Sequence, residues 1–207
     1  MEKKGLEIRY CKDIRSYKKL IPTLDLYPDS IIVTVDDDMI YSSTLLETLY
    51  YTHLKYPDCV VFNYGKEIKV MDDVVEAYSG WKHAKFAEEP SHKYIAIGVG
   101  GVLYPPHSLN NSVKDAELFN AIAPFADDLW FKAMAYMNGT KYIQNQYGHK
   151  CCDEKSFLYE NITVEDSQSS RLGVINVKEG KNDEQWKNIM NYFRQHNRDF
   201  CQSVKEG

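Results

Sequence analysis

Residues 31–41 read Ile-Ile-Val-Thr-Val-Asp-Asp-Asp-Met-Ile-Tyr, and few folds accommodate such a run. Five β-favouring residues in a row predict a strand buried on both faces, of the kind found in the middle of a mainly parallel sheet. Three carboxylates follow at its C-terminal end, where open α/β sheets bind ligands. Adjacent carboxylates repel one another and cannot be half-buried without a counter-ion, and their hard oxygens suit Mg²⁺ or Mn²⁺ better than a soft metal. Asp36, Asp37 and Asp38 are therefore candidate metal ligands. In the plainer alternative one Asp ends the strand, one caps the next helix and one is solvated.

A second acidic group stands at 123–139, Ala-Pro-Phe-Ala-Asp-Asp-Leu-Trp-Phe-Lys-Ala-Met-Ala-Tyr-Met-Asn-Gly. Leu129 to Met137 is apolar nearly all round and predicts a buried helix stopped by Asn-Gly. Asp127 and Asp128 then stand at its N-terminus, where one carboxylate suffices as a cap. The other is free to face a cleft as a general base, its pKa raised by burial beside other acids. Between the acidic groups, residues 94–106 place Gly98, Gly100 and Gly101 within four positions and end in Tyr-Pro-Pro. That pattern fits a tight bend between two short strands, as readily a bulge as a binding loop, and lacks the spacing of a nucleotide phosphate loop.

The rest of the chain reads as follows. Residues 5–10 predict a short strand, and a helix starts near Ser16 and is shortened or kinked by Pro22. Lys18 and Lys19 in that segment, with Arg15, either face a phosphate or form a solvated surface. Thr44-x-x-Glu47 is a capping-box pattern opening a helix with Leu45, Leu46, Leu49, Tyr50, His53 and Leu54 on one side. Residues 59–63 form a second strand, which a right-handed crossover puts beside or near the first. Residues 64–90 are an excursion with irregular or short-strand structure, and 141–143 form an edge strand. His149 either reaches a metal or is a surface imidazole. A helix at about 183–197 buries Trp186, Ile189, Met190 and Phe193, and the tail from Asn197 is expected to fray.

At 207 residues and 43% hydrophobic composition the chain can bury a core as one α/β domain, with a mixed, mostly parallel central sheet flanked by helices. A net charge of −5 with interspersed signs argues against a nucleic-acid or anionic-membrane surface. The start Met-Glu-Lys-Lys-Gly has no apolar core of a leader, and no run approaches the ~18 apolar residues of a membrane span, so a cytoplasmic protein is expected. Five cysteines without metal-site spacing are compatible with reduced thiols, the adjacent Cys151 and Cys152 simply packing. Sixteen tyrosines supply amphipathic rings suited to cores and to stacking on sugars.

Taken in order, Ser-Tyr-Lys-Lys-Leu, the strand into Asp-Asp-Asp-x-Ile-Tyr, Gly-Val-Gly-Gly-Val-Leu-Tyr-Pro-Pro and Ala-Pro-Phe-Ala-Asp-Asp-Leu-Trp-Phe-Lys resemble bacterial glycosyltransferases of the GT-A type. The likeness is to family 2 and enzymes building surface polysaccharides, and it covers about residues 6–195. It implies a nucleotide-sugar donor, a glycan acceptor and a bound Mn²⁺ or Mg²⁺. On the matching positions, Asp36 and Asp38, with Asp37 between, would hold the metal and donor ribose, and Asp127 or Asp128 would be the catalytic base. Gly100 and Gly101 would line the sugar and acceptor pocket, and Lys18, Lys19 and Trp130 complete the candidates for donor or acceptor contact. The resemblance starts at what would be the family's third strand, so the first nucleotide-binding strand-helix repeat is expected to be lacking. Uncovered sheet edge and apolar surface are then expected, favouring self-association or a partner chain. Two other functions are compatible: a catalytically inactive glycan-binding or scaffold remnant of such an enzyme, and a Mg²⁺-dependent phosphotransferase or phosphatase. For the last, Met39-Ile40-Tyr41 after the triplet fits poorly.

Overall fold

The computed structural model describes residues 5–37, 39, 41–85, 88–147 and 180–206. Asp38, His149, Cys151 and Cys152, singled out from the sequence, lie outside them. The architecture is mixed α/β with small sheets. Strands β1 (Ile32–Thr34), β2 (Val60–Phe62), β3 (Gly65–Glu67), β4 (Val70–Met71), β5 (Val74–Val75), β6 (Lys82–His83), β7 (Tyr94–Ala96), β8 (Val102–Tyr104) and β9 (Tyr142–Gln144) run in chain order. Helices α1 (Ile21–Leu26) and α2 (Leu45–Lys55) flank β1 in sequence, and α3 (Ala116–Ile122) and α4 (Asp127–Met137) lie between β8 and β9. Helices α5 (Lys181–Gln195) and α6 (Phe200–Glu206) follow.

The main sheet has the order β1-β8-β2-β9. β8 is antiparallel to both β1 and β2, whereas β2 and β9 are parallel, so β1, β2 and β9 point one way. β8 thus separates β1 from β2 and makes two of the three pairings antiparallel. β1 is accordingly an edge strand, not a central one, and Val33 is half-buried and Val35 exposed. The sequence pattern misleads here because an apolar run does not say which strands pair beside it: Ile32 packs into one core and Val33 against the other, so an edge strand is apolar on both faces too.

Side chains alternate across the sheet with the two-residue period of a strand. Ile32, Val60, Phe62, Val102, Tyr104 and Tyr142 join the large core with Leu129, Trp130, Phe131, Ala133 and Met134 of α4. Val61, Leu103 and Ile143 join a smaller core with Leu49 of α2, and Val33 and Leu45 pack against it. Leu49 is fully buried, whereas Leu46, Tyr50 and Leu54, expected on the same face, are 61%, 47% and 58% exposed. Thr44 is at the N-cap of α2 but its hydroxyl meets Ser42 Oγ at 2.9 Å and makes no capping bond.

The excursion at 64–90 contributes β3 and β6 to a second sheet, β6-β3-β7, and forms the β4–β5 hairpin. Residues 5–10 are exposed and form no strand. The tail does not fray. Asn197 turns the chain at φ 54°, Asp199 Oδ1 accepts the Gln202 N–H at 2.9 Å, and Phe200 is buried among Tyr136, Trp186 and Phe193. A helix of seven residues is marginal alone, so the docking of Phe200 is what holds α6 in place. None of the described helices is long and apolar enough to cross a membrane.

Candidate functional site

Two segments distant in sequence are tied together first, and the charged groups follow. A 3₁₀ helix at Arg15–Lys19 lies against the 123–125 loop: the buried Tyr17 hydroxyl donates to the Ala123 carbonyl, and Arg15 Nη1 donates to the Pro124 carbonyl at 2.9 Å. The Arg15 guanidinium also lies 4.6 Å above the centroid of the Phe125 ring. From the other side, Gln185 Oε1 of α5 accepts the Phe125 N–H at 2.7 Å. Arg15 is thus occupied as an anchor and does not stand ready for a phosphate. These bonds hold Lys19, the last residue of the 3₁₀ helix, beside the first turn of α4.

There Lys19 meets carboxylates from two segments far apart in sequence. Its Nζ donates to Asp36 Oδ1 at 2.8 Å and lies 3.6 Å from Asp127 Oδ2. Asp128 accepts the Gly98 N–H on both oxygens, at 3.2 and 3.1 Å. The Tyr41 hydroxyl accepts the Asp36 N–H at 2.8 Å and donates to the Val99 carbonyl at 2.9 Å, joining the end of β1 to the glycine turn. Three carboxylates, one ammonium and one backbone N–H therefore converge where β1 ends, α4 begins and the 98–100 turn passes.

The N-cap of α4 is Ala126, and neither Asp makes a capping bond. Both acids lie in the first helical turn, where the helix dipole favours their negative charge. Asp127 is 6% exposed and Asp128 half-buried. Burial, then the Asp127 carboxylate, push the Asp128 carboxyl up to about 7, against the pull of Lys19 and the Gly98 N–H. For Lys19 burial works against the charge, but Asp128, Asp127 and Asp36 together hold the ammonium protonated beyond the ordinary lysine range. The phenols of Tyr78 and Tyr142 are raised by burial and then by Asp128, so they remain neutral.

Other residues singled out from the sequence stand elsewhere. Lys18 is exposed and pairs with Asp13 at 3.4 Å. Asp37 is exposed in a turn after β1. Trp130 is fully buried and its indole N–H donates to the Val113 carbonyl at 3.1 Å, so it packs the core and faces no cleft. Gly100 is required for packing: a Cβ there would stand 2.4 Å from Tyr64 Cβ and 2.7 Å from its backbone nitrogen. Gly101, at φ +82°, faces Leu45 and returns the chain into β8. The glycine at the site is Gly98, where a Cβ would lie 2.8 Å from Lys19 Nζ and 3.0 Å from Asp128 Oδ1.

Gly98→Ala should consequently push the ammonium off Asp36. Nζ is the free end of a flexible chain, so the fold should lose less than about 1 kcal/mol. Lys19 lowers the Asp128 pKa, so its displacement should move the Asp128 titration upward, as followed by carboxyl ¹³C chemical shift.

Among the described residues no group of three or more His, Cys, Asp or Glu side chains is arranged to hold a metal ion as it stands. The chemistry of the donors nonetheless suits a hard divalent cation, all being carboxylate oxygens, and Asp127 Oδ2 is buried without a hydrogen-bond partner among the described residues. No family model matches the chain, and no curated protein matches its sequence.

Proposed function

We propose that the chain is a metal-dependent glycosyltransferase of GT-A-like fold, moving a sugar from a nucleotide-sugar donor to a glycan acceptor in surface-polysaccharide synthesis. The observation that carries this reading is the convergence of Asp36, from the strand end, with Asp127 and Asp128, from the helix start, on one lysine and one glycine N–H. Glycosyl transfer needs two functions from a site, neutralisation of the departing diphosphate and a base for the acceptor hydroxyl. Two acidic groups on separate elements supply both.

Asp36, with Asp37 and Asp38 from the same strand end, would hold Mn²⁺ or Mg²⁺. When bound, the cation would supply Lewis-acid neutralisation of the diphosphate. Asp128 is the base: its pKa near 7 lets it take a proton from the acceptor hydroxyl at neutral pH, and the Gly98 N–H orients the carboxylate. Lys19 balances the charge of Asp36 and Asp127, and Tyr41 keeps the end of β1 in register with the glycine turn. The same direction of β1, β2 and β9 supports a GT-A-like sheet with β8 inserted antiparallel.

The test is thermal unfolding of the purified protein against UDP, GDP, CMP and their common sugar conjugates, with and without Mn²⁺. A ligand at 100 times its dissociation constant stabilises the native state by roughly 2.7 kcal/mol, a visible rise in melting temperature. One nucleotide class should raise it, and only with the metal. No shift with any nucleotide would contradict the proposal.

A further inference from the structure

We infer that Lys19 is an internal counter-ion that closes the acidic cluster, and that a divalent cation reaches Asp36 and Asp127 only by displacing its ammonium. This rests on reading the cluster as the donor-cation site.

The position of Nζ is the first support. It lies 2.8 Å from Asp36 Oδ1, 3.6 Å from Asp127 Oδ2 and 2.8 Å from where a Cβ on Gly98 would stand. The gap between strand end and helix start is thus filled by the chain's own cation. Free carboxylates so arranged would repel one another, and an ammonium there removes that cost.

The second support is that the match is incomplete. Asp127 is 6% exposed, yet its Oδ2 has no hydrogen-bond partner among the described residues, and Lys19 reaches it only at ion-pair range. A buried carboxylate oxygen left in that state is unfavourable, whereas a doubly charged cation between the two acids would engage it directly. One ammonium is a placeholder for a larger charge.

The third is a difference in anchoring between backbone and side chain. The backbone before Lys19 is fastened through Tyr17 and Arg15 to the 123–125 loop, whereas among the described residues the Lys19 ammonium is held by its carboxylate partners at the end of a flexible four-carbon stem. Displaced, the ammonium remains near the cluster and can pair with an anionic group that arrives with the cation, such as a diphosphate. Cation and diphosphate should then bind more tightly together than either does alone.

The experiment compares Mn²⁺ binding by wild type, Lys19→Met and Lys19→Arg, from the electron paramagnetic resonance signal of free Mn²⁺, alongside thermal unfolding of each. Met keeps the length without charge and should bind Mn²⁺ at least about tenfold more tightly, since Coulomb competition is gone. The Met variant should also melt below wild type in chelator and recover in Mn²⁺, and folding only in Mn²⁺ would report the same exchange. Arg keeps the charge and should bind no tighter than wild type. Equal or weaker Mn²⁺ binding by the Met variant, with wild type binding normally, would overturn the role of Lys19 and leave the cation site standing. If no form binds Mn²⁺, the cation site itself falls, and the inference with it.

Discussion

Asp128→Asn is expected to cut sugar-nucleotide turnover, followed as release of nucleoside diphosphate, by about 10²- to 10⁴-fold, the usual contribution of a positioned base. The amide keeps an oxygen for the Gly98 N–H but cannot take a proton. Nucleotide and Mn²⁺ binding should survive. The wild-type rate should rise with pH as Asp128 loses its proton, and the variant's residual rate should lack that rise. Stability should move the other way. Below the ordinary aspartate range both folded and unfolded states carry the proton, and Asp128 costs nothing. As pH rises from about 4 to about 7 the unfolded state ionises first, so the wild type loses stability over that interval. At pH 8 the variant should therefore melt no lower than wild type. Unchanged turnover would assign the base to Asp127 or remove it from this pair.

Lys132→Met is expected to stabilise the protein by on the order of 3 kcal/mol at pH 7, measured by denaturant unfolding. Lys132 lies on α4, is 0% exposed, and its Nζ makes no hydrogen bond among the described residues. Its nearest ring partners are Tyr142 at 4.5 Å and Phe200 of α6 at 5.9 Å. Burial alone pushes its pKa down to about 7. Near pH 11 both states are largely neutral, and only the smaller cost of burying an unpartnered neutral amine remains. As pH falls from about 10.5 the unfolded state takes the proton first, and the penalty is complete below about 7. The gain from methionine should thus be largest at neutral and acidic pH and shrink toward pH 10.5. Met fills a similar volume without a polar atom, so the repacking cost is small. A variant no more stable than wild type at pH 7 would mean that the amine has a partner in solution.

Much of the element order is legible in the sequence, because periodicity and punctuation report it locally. The apolar helix of α4 with its Asn138-Gly139 stop, the edge strand β9, and the bend between β7 and β8 all follow from residues within a few positions of one another. What fails is pairing. Nothing in Ile31 to Val35 says that β8, some 70 residues later, will insert between β1 and β2. The C-terminal helix fails for a related reason, because Phe200 is stabilised by rings on α4 and α5 that no local pattern announces.

The site divides the same way. Asp36, Asp127, Asp128 and Lys19 were identifiable from charge and position, yet only the fold brings them together. Gly98 and not Gly100 or Gly101 meets the cluster, a choice among three glycines that composition cannot make. Tyr41 bears no charge and its role is a pair of hydrogen bonds across 58 residues, and the only hint in the sequence is its place just after the acidic triplet. Trp130 was the opposite case: expected among the donor or acceptor contacts, it is turned into the core by helical periodicity.

Where a divalent cation lands is the most direct measurement to make. Protein labelled with ¹³C at the aspartate carboxyls, assigned by single Asp→Asn variants, would be titrated with Mn²⁺ in the presence of the nucleotide that raises the melting temperature. Paramagnetic broadening should reach Asp36, Asp127 and Asp128 first and together, while Asp13, Asp29 and Asp73 stay sharp. Broadening confined to Asp13, Asp29 and Asp73, or of Asp36 without Asp127 and Asp128, would contradict a single cation-accepting site built from the end of β1 and the start of α4.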